Sequence, residues 1–253
     1  MNTIDTSFDF TTDSPHFWDD FWQNNCGFGG GGSDPDTSSH TLQKYHQFLW
    51  SKALPNGETM KLKAGSGPYY LTWKDFRFGS DSIIVSFRHS KCRDLIEAVK
   101  DSLPNYRQFA ESFVHRTYTI GGAIIFPKHV NSMNQRKGCH QLIGDRWDLT
   151  LECIRRYYIG VDSPLYSTIK ADRAFFDLFC DFKGYIDFFY LQDCVTDDYS
   201  AVHIWQGKGD FSESPYPRNV EQYLDWIDTQ LEFTEKRNRR IAVSVENCRR
   251  KFP

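Results

Sequence analysis

The chain has 253 residues, a formal net charge of −3, 25% charged residues and 16% aromatic residues. That length suffices for a domain whose core needs no disulfide or metal staple. The slightly acidic balance excludes the strongly basic composition of a dedicated nucleic-acid binder. The 21 Phe, 13 Tyr and 7 Trp imply a dense aromatic core. Seven widely spaced cysteines with no CxxC argue against a zinc ribbon or a thioredoxin-like pair. Residues Met1 to Phe10 are polar and acidic, without the apolar stretch of a signal peptide. No run reaches the roughly 18 apolar residues of a membrane span. The expectation is a cytoplasmic protein with free, mostly buried thiols.

In chain order, His16-Phe17-Trp18-Asp19-Asp20-Phe21-Trp22 is aromatic and acidic, and Cys26 to Gly32 is nearly all glycine. Glycine runs resist regular structure. Residues 1–33 are therefore read as a flexible arm, whose segment 16–22 would dock on a protein partner or on the body of the chain. Residues 34–253 are read as a single domain. Leu42, Tyr45 and Leu49 have helical spacing within Thr41–Trp50, with Ser38 or Ser39 as the cap. Leu54-Pro55-Asn56-Gly57 is a turn. Tyr69–Trp73, Phe76–Phe78 and Ser82–Phe87 alternate as short antiparallel strands, with Gly79-Ser80-Asp81 as a turn. Helices follow over Lys91–Leu103 and Asn105–His115, then a buried strand over Thr117–Phe126 and a polar loop over Lys128–Gly144. Further helices are predicted over Asp145–Tyr158, Tyr166–Cys180 and Tyr185–Cys194, and a strand over Ala201–Trp205. A long helix from Asn219 to about Arg240 ends in basic residues, as the helix dipole favours. The fold class is α+β, a small antiparallel sheet packed against a mainly helical C-terminal half.

Several stretches carry a family likeness. They include Ser33-Asp34-Pro35-Asp36, Leu49-Trp50-Ser51-Lys52, Tyr118-Thr119-Ile120-Gly121-Gly122 and Ile125-Phe126-Pro127. Asp145 through Arg156, Asp181-Phe182-Lys183-Gly184-Tyr185 and Arg237-Asn238-Arg239-Arg240-Ile241 continue it. Over residues 33–241 the chain resembles a bacterial protein family, a domain of unknown function. The glycine run before Asp34 and Gln135-Arg136-Lys137-Gly138 depart from the family pattern. The resemblance implies no activity, so chemistry rests on the residues.

The densest polar constellation lies between Arg116 and Glu152. Gly121-Gly122 in an apolar strand would let a ligand or another backbone approach. No GxGxxG or P-loop pattern accompanies it. Arg116, Asn134, Arg136 and Arg146 offer donors for a phosphate or carboxylate. Asp145, Asp148 and Glu152, spaced i, i+3 and i+7, would form one helical stripe able to bind a divalent metal or supply a general base. The competing structural expectations are an N-cap at Asp145 and ordinary pairs of Glu152 with Arg155 or Arg156. Asp177, Asp181, Asp187, Asp193, Asp197 and Asp198 are read as caps and solvated faces. The eight histidines make no HxH or HExxH, Cys139-His140 is a non-specific neighbour pair, and GxSxG is absent. Arg237-Asn238 resembles the Arg-Asn run of helical ribonuclease toxins, but the histidine such a mechanism needs is missing. Two functional readings stand on the sequence. One is a nucleotide- or nucleic-acid-acting enzyme, or a toxin or defence effector, holding phosphates with the arginines. The other is a non-enzymatic inhibitor or adaptor that binds protein.

Overall fold

A computed structural model describes residues 4–23, 34–65, 70–83 and 92–251. The helices are α1 (Phe17–Gln23), α2 (Pro35–Ser38), α3 (His40–Trp50), α4 (Arg93–Ser102), α5 (Tyr106–Thr117), α6 (Met133–Cys139), α7 (Trp147–Tyr158), α8 (Tyr166–Ala171), α9 (Arg173–Phe176), α10 (Phe182–Phe189) and α11 (Val220–Lys251). The strands are β1 (Lys63–Ala64), β2 (Leu71–Trp73), β3 (Phe76–Ser82) and β4 (Ala123–Pro127), in one antiparallel sheet of order β1-β2-β3-β4. The fold is α+β, with most of its helices in the C-terminal half. Contacts divide the chain into two compact units. The first takes in described residues of 1–42, 84–123 and 216–253, the second those of 43–83 and 124–215. Among the described residues, no helix is long and apolar enough to cross a membrane.

The first unit is organised on α11. Its buried residues Tyr223, Trp226, Ile227, Gln230, Thr234, Arg237, Ile241 and Val245 recur every three or four positions, so they form one stripe. That stripe packs on α4, α5 and the 3₁₀ turn Ile120–Gly122. The helix continues to Lys251, past the Arg240 end expected, because Ile241 and Val245 extend the buried stripe and no breaker precedes Pro253. Residues 4–23 belong to this unit. The Phe10 N–H donates to the Tyr118 carbonyl at 2.9 Å, and Phe17 lies 5.2 Å from the Tyr118 ring. Phe17 and Phe21 are buried, while Trp18 stands over His115. The glycine run Cys26–Gly32 lies outside the described residues.

The strand expected over Thr117–Phe126 is shorter. Helix α5 runs to Thr117, Ile120–Gly122 turn, and only Ala123–Pro127 are extended. Side chains of α11 fix this break. Arg237 Nη1 donates to the carbonyls of Gly121 and Ala123 at 2.9 and 2.8 Å. Asn238 Oδ1 accepts the Gly121 N–H at 2.7 Å, and its Nδ2 donates to Thr119 Oγ1 at 2.7 Å. The backbones are so close that a Cβ on Gly121 would overlap the Thr234 carbonyl oxygen, and one on Gly122 would overlap the Thr117 carbonyl.

The second unit has the aromatic core that the composition implies. Trp50, Phe78, Phe175, Phe176, Phe179, Tyr185 and Phe189 are all buried. His46, on α3, is buried too. Trp50 Nε1 donates to its Nδ1 at 2.9 Å, which leaves Nε2 to carry the proton toward Ser80 Oγ at 2.9 Å. That contact explains why Gly79-Ser80-Asp81, expected as a turn, is strand β3: Ser80 is buried in the core rather than solvated. The expected strand over Ser82–Phe87 lies mostly outside the described residues. The predicted helix over Tyr166–Cys180 breaks into α8, α9 and a 3₁₀ turn, and α10 starts at Phe182 because Asp181 accepts the Gly184 N–H at 2.7 Å. Ala201–Trp205 contributes a single bridge, Val195 to Val202. The polar loop expected over Lys128–Gly144 contains α6, whose Met133 and Lys137 are buried one turn apart.

Gly121→Ala and Gly122→Ala should each destabilise the fold by roughly 3 kcal/mol or more, since backbone rather than a flexible side chain fills the space. Urea unfolding measures this, and a change below about 1 kcal/mol would refute the close approach.

Candidate functional site

The segment from β3 to the start of α7 gathers three charges. Lys137 projects from the buried side of α6 and is 2% exposed. Its Nζ lies 2.5 Å from Asp145 Oδ1 and 3.3 Å from Asp81 Oδ2, and it donates to the Ser82 carbonyl at 3.3 Å. The side chain of Asp81 is 14% exposed and that of Asp145 30%. One ammonium needs one carboxylate for neutrality, so the second carboxyl must ionise beside a like charge in a poor solvent. Burial therefore pushes Asp81 up to about 7, with the Lys137 ammonium pulling it down and Asp145 adding to the rise. Burial alone would lower Lys137, but Asp145 and Asp81 reverse this and hold it above the usual lysine range. The backbone turns left-handed here. Gly144 and Asp145 have φ of 59° and 64°, and Asn131, before α6, has φ 68°. A left-handed aspartate next to glycine is the geometry that delivers its carboxylate back to Lys137, and such backbone clusters at functional sites.

Asp145 is thus neither the N-cap nor part of the stripe expected with Asp148 and Glu152. Arg146 takes the N-cap position of α7. Asp148 and Glu152 lie on α7, but each serves an arginine. Arg146, 3% exposed, binds Asp148 through Nε at 3.0 Å and through Nη2, and donates to the carbonyls of Trp205 at 2.6 Å and Pro215 at 3.3 Å. Asp148 also accepts the Trp205 N–H at 2.8 Å. Glu152 receives Arg155 at 2.7 and 2.9 Å and Arg156 at 2.8 Å, which is the ordinary pairing foreseen. Arg156 goes on to the Gly209 carbonyl at 2.6 Å and stacks 4.9 Å from the Phe211 ring, as Arg146 stacks 5.0 Å from Trp205. These polar side chains fasten the segment 205–215 along α7.

The remaining donors are spread out. Arg116, on α5 in the first unit, pairs with Glu235. Asn134 and Arg136 are on α6. Arg136 is exposed and donates to Asn131 Oδ1 at 2.6 Å, while Asn134 Oδ1 accepts from Ser132 Oγ at 2.5 Å. The structure brings Asp145 together with Asp81 and Lys137, which the sequence reading missed. The one signal for Lys137 was its place four residues after Met133, a lysine on the apolar side of a short helix. Among the described residues, no three His, Cys, Asp or Glu side chains converge as a metal site requires. In the second acidic set Asp181 caps α10. Asp187 accepts from Lys183, Gln192 Nε2 and Tyr199 Oη, and Asp198 closes a turn with Thr196 and Ser200.

An α+β chain that buries a Lys-Asp-Asp cluster between a strand and a short helix is the class these observations define. The chain belongs to DUF6994, a family of unknown function, whose sequence profile matches residues 4–241. The match starts well before the Ser33 expected and so takes in the aromatic-acidic segment. Neither the curated proteins nor the solved structures contain a match to it.

Arg146→Ala should free the 205–215 segment and cost about 3 kcal/mol, because Asp148 would be left without its cation. Faster tryptic cleavage after Lys208, together with a lower urea midpoint, is the expected result. Wild-type resistance would show that the fastening is unimportant.

Proposed function

We propose that this protein is an intracellular enzyme that moves a proton on a small phosphate-bearing ligand of the nucleotide type, with Asp81, Lys137 and Asp145 as its acid–base cluster. The observation that carries the reading is the buried cluster itself. An ammonium shared by two carboxylates and closed by a left-handed aspartate is costly to fold, and fold stability alone does not require it. Asp81 has the titration range a general acid–base group needs near neutrality. Asp145, the more exposed carboxylate, is the member that a ligand reaches first. Arg136, next to Lys137 on α6 and on its exposed side, supplies guanidinium donors for an anionic group.

A second reading, a non-enzymatic binding or regulatory protein, draws support from a specific observation. Arg116, Arg146, Asp148 and Glu152 all direct their charges at partners within the fold. On that reading the half-exposed Trp18 and Trp22, with Asp19 and Asp20, would face a protein partner.

A thermal-shift screen against nucleotides, short RNA and divalent metals separates the two. A nucleotide at one hundred times its Kd stabilises the native state by about 2.7 kcal/mol. That is roughly 5–10 °C for a chain of this size. Arg136→Ala should abolish the shift while leaving the ligand-free melting temperature within about 1 °C. No shift with any ligand favours the binding-protein reading. A variant that melts early without ligand makes Arg136 structural.

A further inference from the structure

The loop that leads into α6 is tied down at two points. Its Lys128 N–H donates to the Arg77 carbonyl of β3 at 2.7 Å. Its His129 reaches the corner between α8 and α9, where Nε2 lies 2.8 Å from Asp172 Oδ1. The other ring nitrogen, Nδ1, lies 2.8 Å from the Val130 carbonyl oxygen. Both partners are acceptors, and a neutral imidazole has one N–H. While Asp172 is ionised, the two contacts exist together only when the ring carries both protons. Asp172 is in a matching position. Its side chain is 9% exposed, and Oδ2 is buried without a hydrogen-bond partner among the described residues. Among the described residues its ionised form leans on His129 alone, and a buried carboxylate deprived of its cation is strongly disfavoured.

The loop is wired to the helix it precedes. Ser132 N–H donates to the His129 carbonyl at 3.1 Å, Asn131 N–H to Gln135 Oε1 at 2.9 Å, and Arg136 to Asn131 Oδ1 at 2.6 Å. Helix α6 also packs on α8. A change at His129 is thus passed to the first turn of the helix that carries Lys137.

We propose that His129 and Asp172 form a proton-controlled clasp that holds residues 128–132 against the α8–α9 corner, and that its release when the ring loses a proton loosens the start of α6. The acid–base site proposed above is what the clasp would regulate; the clasp itself does not depend on that reading. The facing groups are few: Asp172 and the Val130 carbonyl act on His129, and His129 acts on Asp172. Burial opposes the imidazolium, but the Val130 and Asp172 bonds outweigh it and raise its titration above 6.5. Burial raises Asp172 from 3.8, with His129 working against the rise. A raised histidine stabilises the closed form fully below 6.5, and the stabilisation is lost as pH climbs through the folded-state value.

Hydrogen exchange of peptides spanning 128–137, corrected for intrinsic rates and run without ligand at pH 6 and pH 8, tests this. Wild type should lose protection roughly fivefold or more at the higher pH. Asp81→Asn should keep the pH step of wild type, whatever its absolute protection, which separates the clasp from titration of the acid–base cluster. His129→Gln and Asp172→Asn should be poorly protected at both pH values, with the pH step gone. A flat wild-type response would overturn the proposal. So would a pH step that survives in both clasp variants, or one that disappears in Asp81→Asn alone.

Discussion

A lysine ammonium that is 2% exposed must be charge-balanced or neutralised, and that constraint arranges the whole segment around α6. It brings Asp81 in from β3. It forces Gly144 and Asp145 into left-handed backbone so that a carboxylate can fold back from the entrance of α7. It places one of two competing carboxylates where ionisation is costly. The chemistry proposed for the chain and the left-handed turn of its backbone have this one origin.

Buried cations fasten polar backbone elsewhere in the chain. Arg237, fully buried, satisfies the carbonyls of Gly121 and Ala123 where α5 gives way to a strand. Arg146 does the same for Trp205 and Pro215. A guanidinium suits this work because it presents several donors in a fixed plane and stays charged. The Arg237-Asn238 pair, whose sequence resembles a ribonuclease motif, holds a glycine turn through both of its side chains. Its occurrence is explained by packing without reference to catalysis.

Periodic features were legible in the sequence and irregular ones were not. The helices α4, α5, α7 and α11, the cap at Ser39 and the aromatic core all follow from spacing and composition, which act locally. Leu42 N–H indeed donates to Ser39 Oγ at 3.0 Å. Helix α6 was hidden because Met133 is its one buried apolar residue and a lysine occupies the next inward position. Strand β3 was cut short because Gly79-Ser80-Asp81 has turn chemistry, and the histidine that buries Ser80 comes from a distant helix. The candidate site divides the same way. Asp145 and the arginines stood out as a polar cluster. Asp81 and Lys137 meet only through tertiary structure, and no spacing rule links a strand-end aspartate to a lysine in a loop-like run.

The most direct test of the central claim is the ionisation of Asp81, followed by carboxyl carbon chemical shift in isotopically labelled protein and assigned by Asp81→Asn. The account predicts a midpoint near 7. It also predicts that wild-type stability declines between about pH 4 and pH 7 relative to Asp81→Asn, because the folded state holds a proton there that the unfolded state releases. A midpoint near 4, with parallel stability profiles for the two proteins, would contradict it and reduce the cluster to an ordinary ion pair.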